Sequence, residues 1–380
     1  MEYRPAIASM SLGRAWLHSF EDKMRCASQA GFVGIEIFYE DLLYLARSLS
    51  GIEDDSIIPN ANQQLKAARQ VRSICSSLGL TIIGLQPFLF YEGLIDRAEH
   101  DRLIEKLHLW FRLVTALGTD IIQIPTNFLP SAQLATDIEV IVSDLRQVAD
   151  LGLAQDPPIR FAYENICWGT RIDTWEKAWA VVEAVDRPNF GMCLDTFNIA
   201  GKVWADPATE DGRTVDADEE LRKSLIRLVK TVDIKKVFYI QVVDAEKQSP
   251  PLREGHEYHV KDQPSRMSWS RNARCFMYEQ ERGGYLPVEE VARVIIEKLG
   301  YKGFVSLELF SRTMSDPDPS TPRKHAERGI ASWHKLVKAL KLAGCREQRL
   351  EAASTEMPQA SRARNSGDTR QPEFCHGRPR

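Results

Sequence analysis

Apolar positions along this chain fall into two alternating patterns. Short β-branched runs occur at A-I-A-S-M (6–10), V-G-I-E-I-F (33–38), T-I-I-G-L-Q (81–86), D-I-I-Q-I-P (120–125), I-R-F-A-Y-E (159–164), N-F-G-M-C-L-D (189–195), V-F-Y-I-Q-V-V (237–243) and F-V-S-L-E-L-F (304–310), and each predicts a strand. Between them, Leu103, Leu107, Trp110, Phe111, Val114 and Leu117 recur at helical spacing. So do Leu134, Ile138, Ile141, Val142, Leu145 and Val148, and again Leu221, Leu225, Leu228, Val229 and Val232. Glycine stands between helix and strand in S-L-G-L-T-I-I, A-L-G-T-D-I-I and K-L-G-Y-K-G-F, as a left-handed helix cap requires. Eight alternating units predict an α/β chain closed into a (β/α)8 TIM barrel.

The connections at 198–216 and 244–286 are too long for simple links and are expected to cover the barrel mouth. Residues 1–345 are expected to form this single domain. The remainder, 346–380, turns to Arg, Ser, Pro, Gln and Gly without apolar period and is expected to be a disordered tail without chemistry.

Composition narrows the partners more than the fold. An apolar fraction of 43% over 380 residues supplies a sizeable core, and a net charge of -4 gives no reason to expect nucleic acid or a membrane surface. A small soluble ligand is the expected partner. The opening M-E-Y-R-P-A-I-A-S-M-S-L lacks the long apolar core of a signal peptide, so a cytoplasmic protein is expected. Seven scattered cysteines with no C-x-x-C pair suggest neither a disulfide framework nor a zinc ribbon.

Four of the apolar runs stop at an oxygen donor: Glu164, Asp195, Gln241 and Glu308. Acids and amides are disfavoured inside buried strands, and barrel sites lie at the carboxyl ends of strands, so four such donors are expected to converge on a hard divalent cation. An all-oxygen set with three carboxylates suits Mg²⁺, Mn²⁺ or Co²⁺ better than zinc. Asp244 is the substitute ligand should one of the four fail. Glu36, Gln86 and Gln123 also lie near strand ends, as pocket lining or ordinary caps.

R-M-S-W-S-R-N-A-R-C-F (266–276) has three arginines and no apolar period. It reads as a loop that grips an anion, with Ser270 and Arg274 holding an acidic substrate group above the metal. His256, His259 and Lys261 lie just upstream, and imidazole titrates near neutrality, so the two histidines are candidate general bases. Trp168, in W-G-T-R, offers an aromatic wall at the rim.

G-I-E-I-F-Y-E-D (34–41), L-Q-P-F (85–88), Y-E-N-I-C-W-G-T (163–170), C-L-D-T-F-N-I-A (193–200) and S-R-N-A-R-C-F (270–276) together carry a resemblance. Over about residues 3–345 the chain resembles the fungal 3-dehydroshikimate dehydratases of quinate catabolism, within the xylose-isomerase-like sugar-phosphate isomerase/epimerase superfamily. The resemblance implies a metal quartet at Glu164, Asp195, Gln241 and Glu308, and substrate contacts at Ser270 and Arg274. It further implies dehydration of 3-dehydroshikimate to protocatechuate through a metal-stabilised enediolate. Bacterial members carry D-x-F-H after the aspartate strand and arginine after Q-P-F, where this chain has Asn198 and Leu89. Asn198 is placed here with the substrate contacts, and the base is left to His256, His259 or a metal-bound hydroxide. A ketose epimerase or isomerase could use the same enediolate, and a non-catalytic barrel could bind a quinate-pathway acid. A zinc nuclease of abasic DNA needs histidine ligands that the mapped strand ends lack.

Overall fold

The computed structural model describes residues 2–342; the expected tail at 346–380 lies outside the described residues. Among the described residues ten strands occur: β1 (Tyr3–Ala8), β2 (Gly34–Phe38), β3 (Thr81–Gln86), β4 (Ile121–Pro125), β5 (Arg160–Glu164), β6 (Phe190–Asp195), β7 (Val237–Gln241), β8 (Asp244–Ala245), β9 (Arg274–Cys275) and β10 (Gly303–Leu307). Eight of them close a barrel in the order β1-β10-β7-β6-β5-β4-β3-β2, while β8 and β9 pair with each other as a short antiparallel ladder. The barrel pairs are parallel throughout, as its helical crossovers require.

The two-residue period of a strand sorts side chains between barrel interior and helical shell. Ile121, Ala162, Cys193 and Tyr239 form one small cluster separate from the main core, and Ala6, Ile83 and Phe304 form another. Two positions beyond Ala162, Cys193 and Tyr239 stand Glu164, Asp195 and Gln241, so the same inward period that fills the barrel delivers polar atoms to its mouth. Gly34 makes room for the lower cluster, since a Cβ there would sit 2.5 Å from the Phe304 ring. Outside, helix Arg97–Leu117 buries Leu107, Trp110 and Val114 against the barrel. The Asp96 carboxylate accepts the Ala98 and Glu99 amides at its start, and Gly118 ends it at φ +77°. Gly79 and Gly300 also take positive φ, as the sequence pattern predicts.

Two segments differ from expectation. The first strand runs Tyr3–Ala8 rather than 6–10, and Ser9–Leu12 is a 3-10 turn. Ser9 leaves the ladder because its hydroxyl donates to Asp41 at 2.6 Å and accepts the Phe38 amide at 2.9 Å. The second is the expected loop at 266–276, which is helix Ser265–Ala273 followed by β9. It shows no apolar period because it buries serine beside tryptophan: Ser268, Trp269, Ser270 and Ala273 face inward, and the Trp269 ring lies 4.9 Å from Phe197. Arg266 donates to the Gly201 and Ala205 carbonyls, tying this helix to helix Thr196–Val203.

Asp41 also pairs with Lys23, whose ammonium is fully buried and donates to the Gly13 carbonyl at 2.8 Å. This network locks the β1 and β2 connections at the mouth. Asp41→Ala would strand the Lys23 charge and is expected to cost about 3–5 kcal/mol of stability, read from urea denaturation.

Candidate active site

Glu164 ends β5, Asp195 ends β6 and Glu308 follows β10 by one residue. Each offers a carboxylate oxygen within 4.8 Å of the other two, and all three side chains are buried. Asp195 has two tasks: its Oδ1 accepts the Phe197 amide at 2.8 Å, capping helix Thr196–Val203, while Oδ2 faces the cluster. One turn on, Asn198 donates to Glu164 Oε1 at 2.8 Å and to Asp195 Oδ2 at 2.7 Å, and its own carbonyl accepts the Cys167 amide at 3.0 Å. Asn198 therefore clips the two acids at a fixed separation.

Arg274 enters from the long connection after β7. Its Nη1 donates to Asp195 Oδ2 and to Glu308 Oε2, each at 3.1 Å, and its Nε donates to Ser270 Oγ at 3.0 Å. The guanidinium lies over the Phe197 and Phe310 rings, 4.1 and 5.0 Å from their centroids. Ser270 and Arg274 thus lie together, but the guanidinium reaches the carboxylates themselves rather than standing above them.

Gln241 lies beside Asp195 in register and donates its amide to Glu36 Oε1 and Oε2 at 3.3 and 3.1 Å. Glu36 also accepts from Ser306 and from Gln86, and Gln86 Nε2 reaches Glu308 Oε1 at 3.1 Å. Gln123 donates to Glu164 Oε2. Glu36, Gln86 and Gln123, which the sequence marks only as polar strand ends, are the floor of the cluster. Glu36 is its fourth carboxylate.

Burial sets the electrostatics. It pushes Glu164 well above the usual carboxylate range, with the Glu308 and Asp195 charges adding to the effect. Burial raises Glu308 to about 8 against the opposing pull of Arg274, and raises Glu36 to about 7 against hydrogen bonds from Ser306, Tyr239 and Gln241. Asp195 is also raised by burial, opposed by Arg274 and the Phe197 amide. Among the described residues, one guanidinium contacts this group of four carboxylates, and the donors are all oxygen. That chemistry fits a hard divalent cation at Glu164, Asp195 and Glu308.

Cation and protons compete for these oxygens. Glu308 is charged before binding only above about pH 8, and burial raises Glu164 and Asp195 in the same direction, so as pH falls the cation must displace protons and affinity falls. Calorimetric titration of metal-stripped protein with Mn²⁺ is expected to show weakening from pH 8 to pH 6, by up to about tenfold per unit for each proton displaced. A flat profile would contradict these assignments.

Other sequence candidates stand apart. His256 and His259 are half-buried in the connection before helix Ser265–Ala273; the His256 ring accepts the Tyr258 amide at 3.0 Å, and neither imidazole hydrogen-bonds to the four carboxylates. Asp244 accepts the Ala245, Tyr285 and Leu286 amides and so organises a loop. Trp168 packs in an aromatic row, 6.3 Å from Phe128, which lies 4.7 Å from Phe90. No described helix is long and apolar enough to cross a membrane. Cys26, Cys75, Cys167, Cys193 and Cys275 are free thiols.

A family model described as xylose isomerase-like TIM barrel matches residues 24–338. The chain belongs to the xylose isomerase-like TIM barrel family. It is 53% identical over 343 residues to a protein of Neurospora crassa named 3-dehydroshikimate dehydratase, covering 90% of this chain and 96% of that one. A Pseudomonas aeruginosa protein of the same name is 29% identical over 80% of this chain, which spans 38% of that longer protein. A solved xylose isomerase-like TIM barrel/4-hydroxyphenylpyruvate dioxygenase fusion protein superposes with a TM-score of 0.65 at 25% identity, covering 90% of this chain and 44% of that one. The family shares the barrel, so the activity must be argued from the site.

Proposed function

We propose that this chain is a divalent-metal-dependent 3-dehydroshikimate dehydratase, a hydro-lyase that releases protocatechuate and water. The reading is carried by the buried Glu164, Asp195 and Glu308 cluster in a chain that aligns with 96% of the Neurospora enzyme at 53% identity. Gln241 would complete the ligand set, with Mg²⁺, Mn²⁺ or Co²⁺ as the cation. When bound, the cation would polarise the substrate's ketone and stabilise negative charge developing on its oxygen.

The protein residues supply position and charge around that centre. Arg274 uses Nε and Nη1 in its bonds to Ser270, Asp195 and Glu308, which leaves Nη2 for the substrate carboxylate, with the Ser270 hydroxyl beside it. Asn198 keeps Glu164 and Asp195 at their spacing as substrate enters. The ring proton next to the ketone leaves to a base, the β-hydroxyl departs as water, and a second ring proton is lost as the ketone oxygen ends as a phenol. His256 and His259 are the candidate bases, reaching the ring if the connection that carries them closes over the mouth. The Phe90, Phe128 and Trp168 row would form an apolar wall for the flat product.

Product analysis separates dehydration from epimerisation on the same barrel. Mass spectrometry and proton NMR after incubation with 3-dehydroshikimate should show a product lighter by one water with aromatic signals. A product of unchanged mass would replace the dehydratase reading with an isomerase.

A further inference from the structure

Gln241 poses a problem that its carboxylate neighbours do not. A carboxylate offers oxygen whichever way it turns, but a primary amide offers a ligand oxygen at one end and two N–H donors at the other. A glutamine aimed at a cation must be held carbonyl-first. We infer that Glu36 is the positioning residue that fixes Gln241 in that orientation and so completes the metal site; the inference rests on the metal-dependent reading above.

Three observations support it. First, both Glu36 oxygens accept from Gln241 Nε2, at 3.3 and 3.1 Å, so the amide nitrogen is drawn toward β2. Second, the opposite end of the amide meets a donor: the Cys193 thiol points at Gln241 Oε1 across 3.4 Å. A reversed amide would set two N–H groups against that thiol and a carbonyl against Glu36. Third, Glu36 cannot turn away, because Ser306 and Gln86 also donate to it and it is 1% exposed. Ser306 is the register partner of Gln241 on β10, so the strands themselves hold the carboxylate and the amide side by side.

Glu36 also links to the other ligands. Gln86 Nε2 spans Glu36 Oε2 and Glu308 Oε1, at 2.9 and 3.1 Å, and thereby fixes a second proposed ligand from the same anchor. Outer groups of this kind typically change metal affinity by about 10–100-fold when removed.

The test is an Mn²⁺ titration of metal-stripped protein followed by electron paramagnetic resonance of the free ion, with no substrate present. Wild type should bind Mn²⁺, and Glu308→Gln should bind it more than about 100-fold more weakly. Glu36→Gln is expected to bind at least about tenfold more weakly, because a neutral amide no longer dictates which end of Gln241 faces the cation. The exchanged pair E36Q/Q241E should return to within about threefold of wild type, since a carboxylate on β7 needs no orienting and the amide now on β2 can donate to it. Glu36→Asp keeps the charge but withdraws it from Gln241, and should bind about fivefold or more weakly even if Glu36→Gln fails to fold. Normal Mn²⁺ affinity in folded Glu36→Gln or Glu36→Asp, or no recovery in the exchanged pair, overturns the inference alone. Absence of Mn²⁺ binding by wild type removes the metal reading as well.

Discussion

Glu308→Gln is expected to lower kcat/KM by at least about a thousandfold, roughly 4 kcal/mol of lost transition-state stabilisation, while the protein stays folded. The substitution keeps side-chain volume and one carbonyl oxygen but deletes one of the three carboxylates that lie within 4.8 Å of one another. Burial already disfavours the charged form of Glu308, raising it to about 8, so a neutral residue there is not intrinsically costly to the fold. What the substitution loses is an acceptor: Glu308 serves both Gln86 and Arg274, and the replacing amide can serve only one of them with oxygen. That loss is worth about 1–3 kcal/mol and should appear as a modest fall in Tm. Mn²⁺ affinity should fall more than about 100-fold, beyond the effect of an outer group. Unchanged turnover would remove Glu308 from the site.

Arg274→Met should produce an effect of different form. Arg274 is buried and donates to both Asp195 and Glu308, so its removal leaves their repulsion without its protein counter-charge. Breaking a buried pair typically costs about 3–5 kcal/mol, and that loss is expected in metal-stripped protein above about pH 8, where Glu308 is charged; at lower pH Glu308 takes up a proton and the loss shrinks. With Mn²⁺ bound the loss should be much smaller, because the cation offsets the same repulsion. Calorimetric melting with and without Mn²⁺ therefore separates this electrostatic role from simple packing against Phe197 and Phe310, which would cost the same in both states. KM should also rise at least about tenfold, as expected for losing a charge-assisted hydrogen bond to the substrate carboxylate. Lysine should rescue poorly, since it lacks the fork that spans two acids.

How far the sequence reveals this site follows from the kind of signal each residue leaves. Glu164, Asp195 and Glu308 are legible because an acid at the end of an apolar run contradicts its surroundings and has a chemical explanation. The barrel is legible because two periods alternate and glycine caps such as Gly118 mark the joins. Glu36 leaves the same polar signal at a strand end, yet two of its partners, Ser306 on β10 and Gln241 on β7, come from strands that do not adjoin β2. The alternation predicts closure of β1 onto β10, but local pattern does not say which side chains then meet across the barrel. Helix Ser265–Ala273 is hidden for another reason: packed at a polar mouth, it buries Ser268 and Ser270 beside Trp269 and so lacks the apolar stripe by which helices are recognised. The first strand is displaced from its expected span because Ser9 and Met10 look compatible with extension, whereas Ser9 is claimed by Asp41 across the β1–β2 join.

One titration tests the carboxylate cluster and the reaction together. Metal-stripped protein is mixed with 3-dehydroshikimate, and ultraviolet absorbance of the aromatic product is followed as Mn²⁺ is added in increments. No product is expected at the start, followed by a rate that rises with each increment and saturates at one cation per chain. Full activity in the stripped protein, or no aromatic product with Mn²⁺, Mg²⁺ or Co²⁺ at any level, would contradict the proposed function.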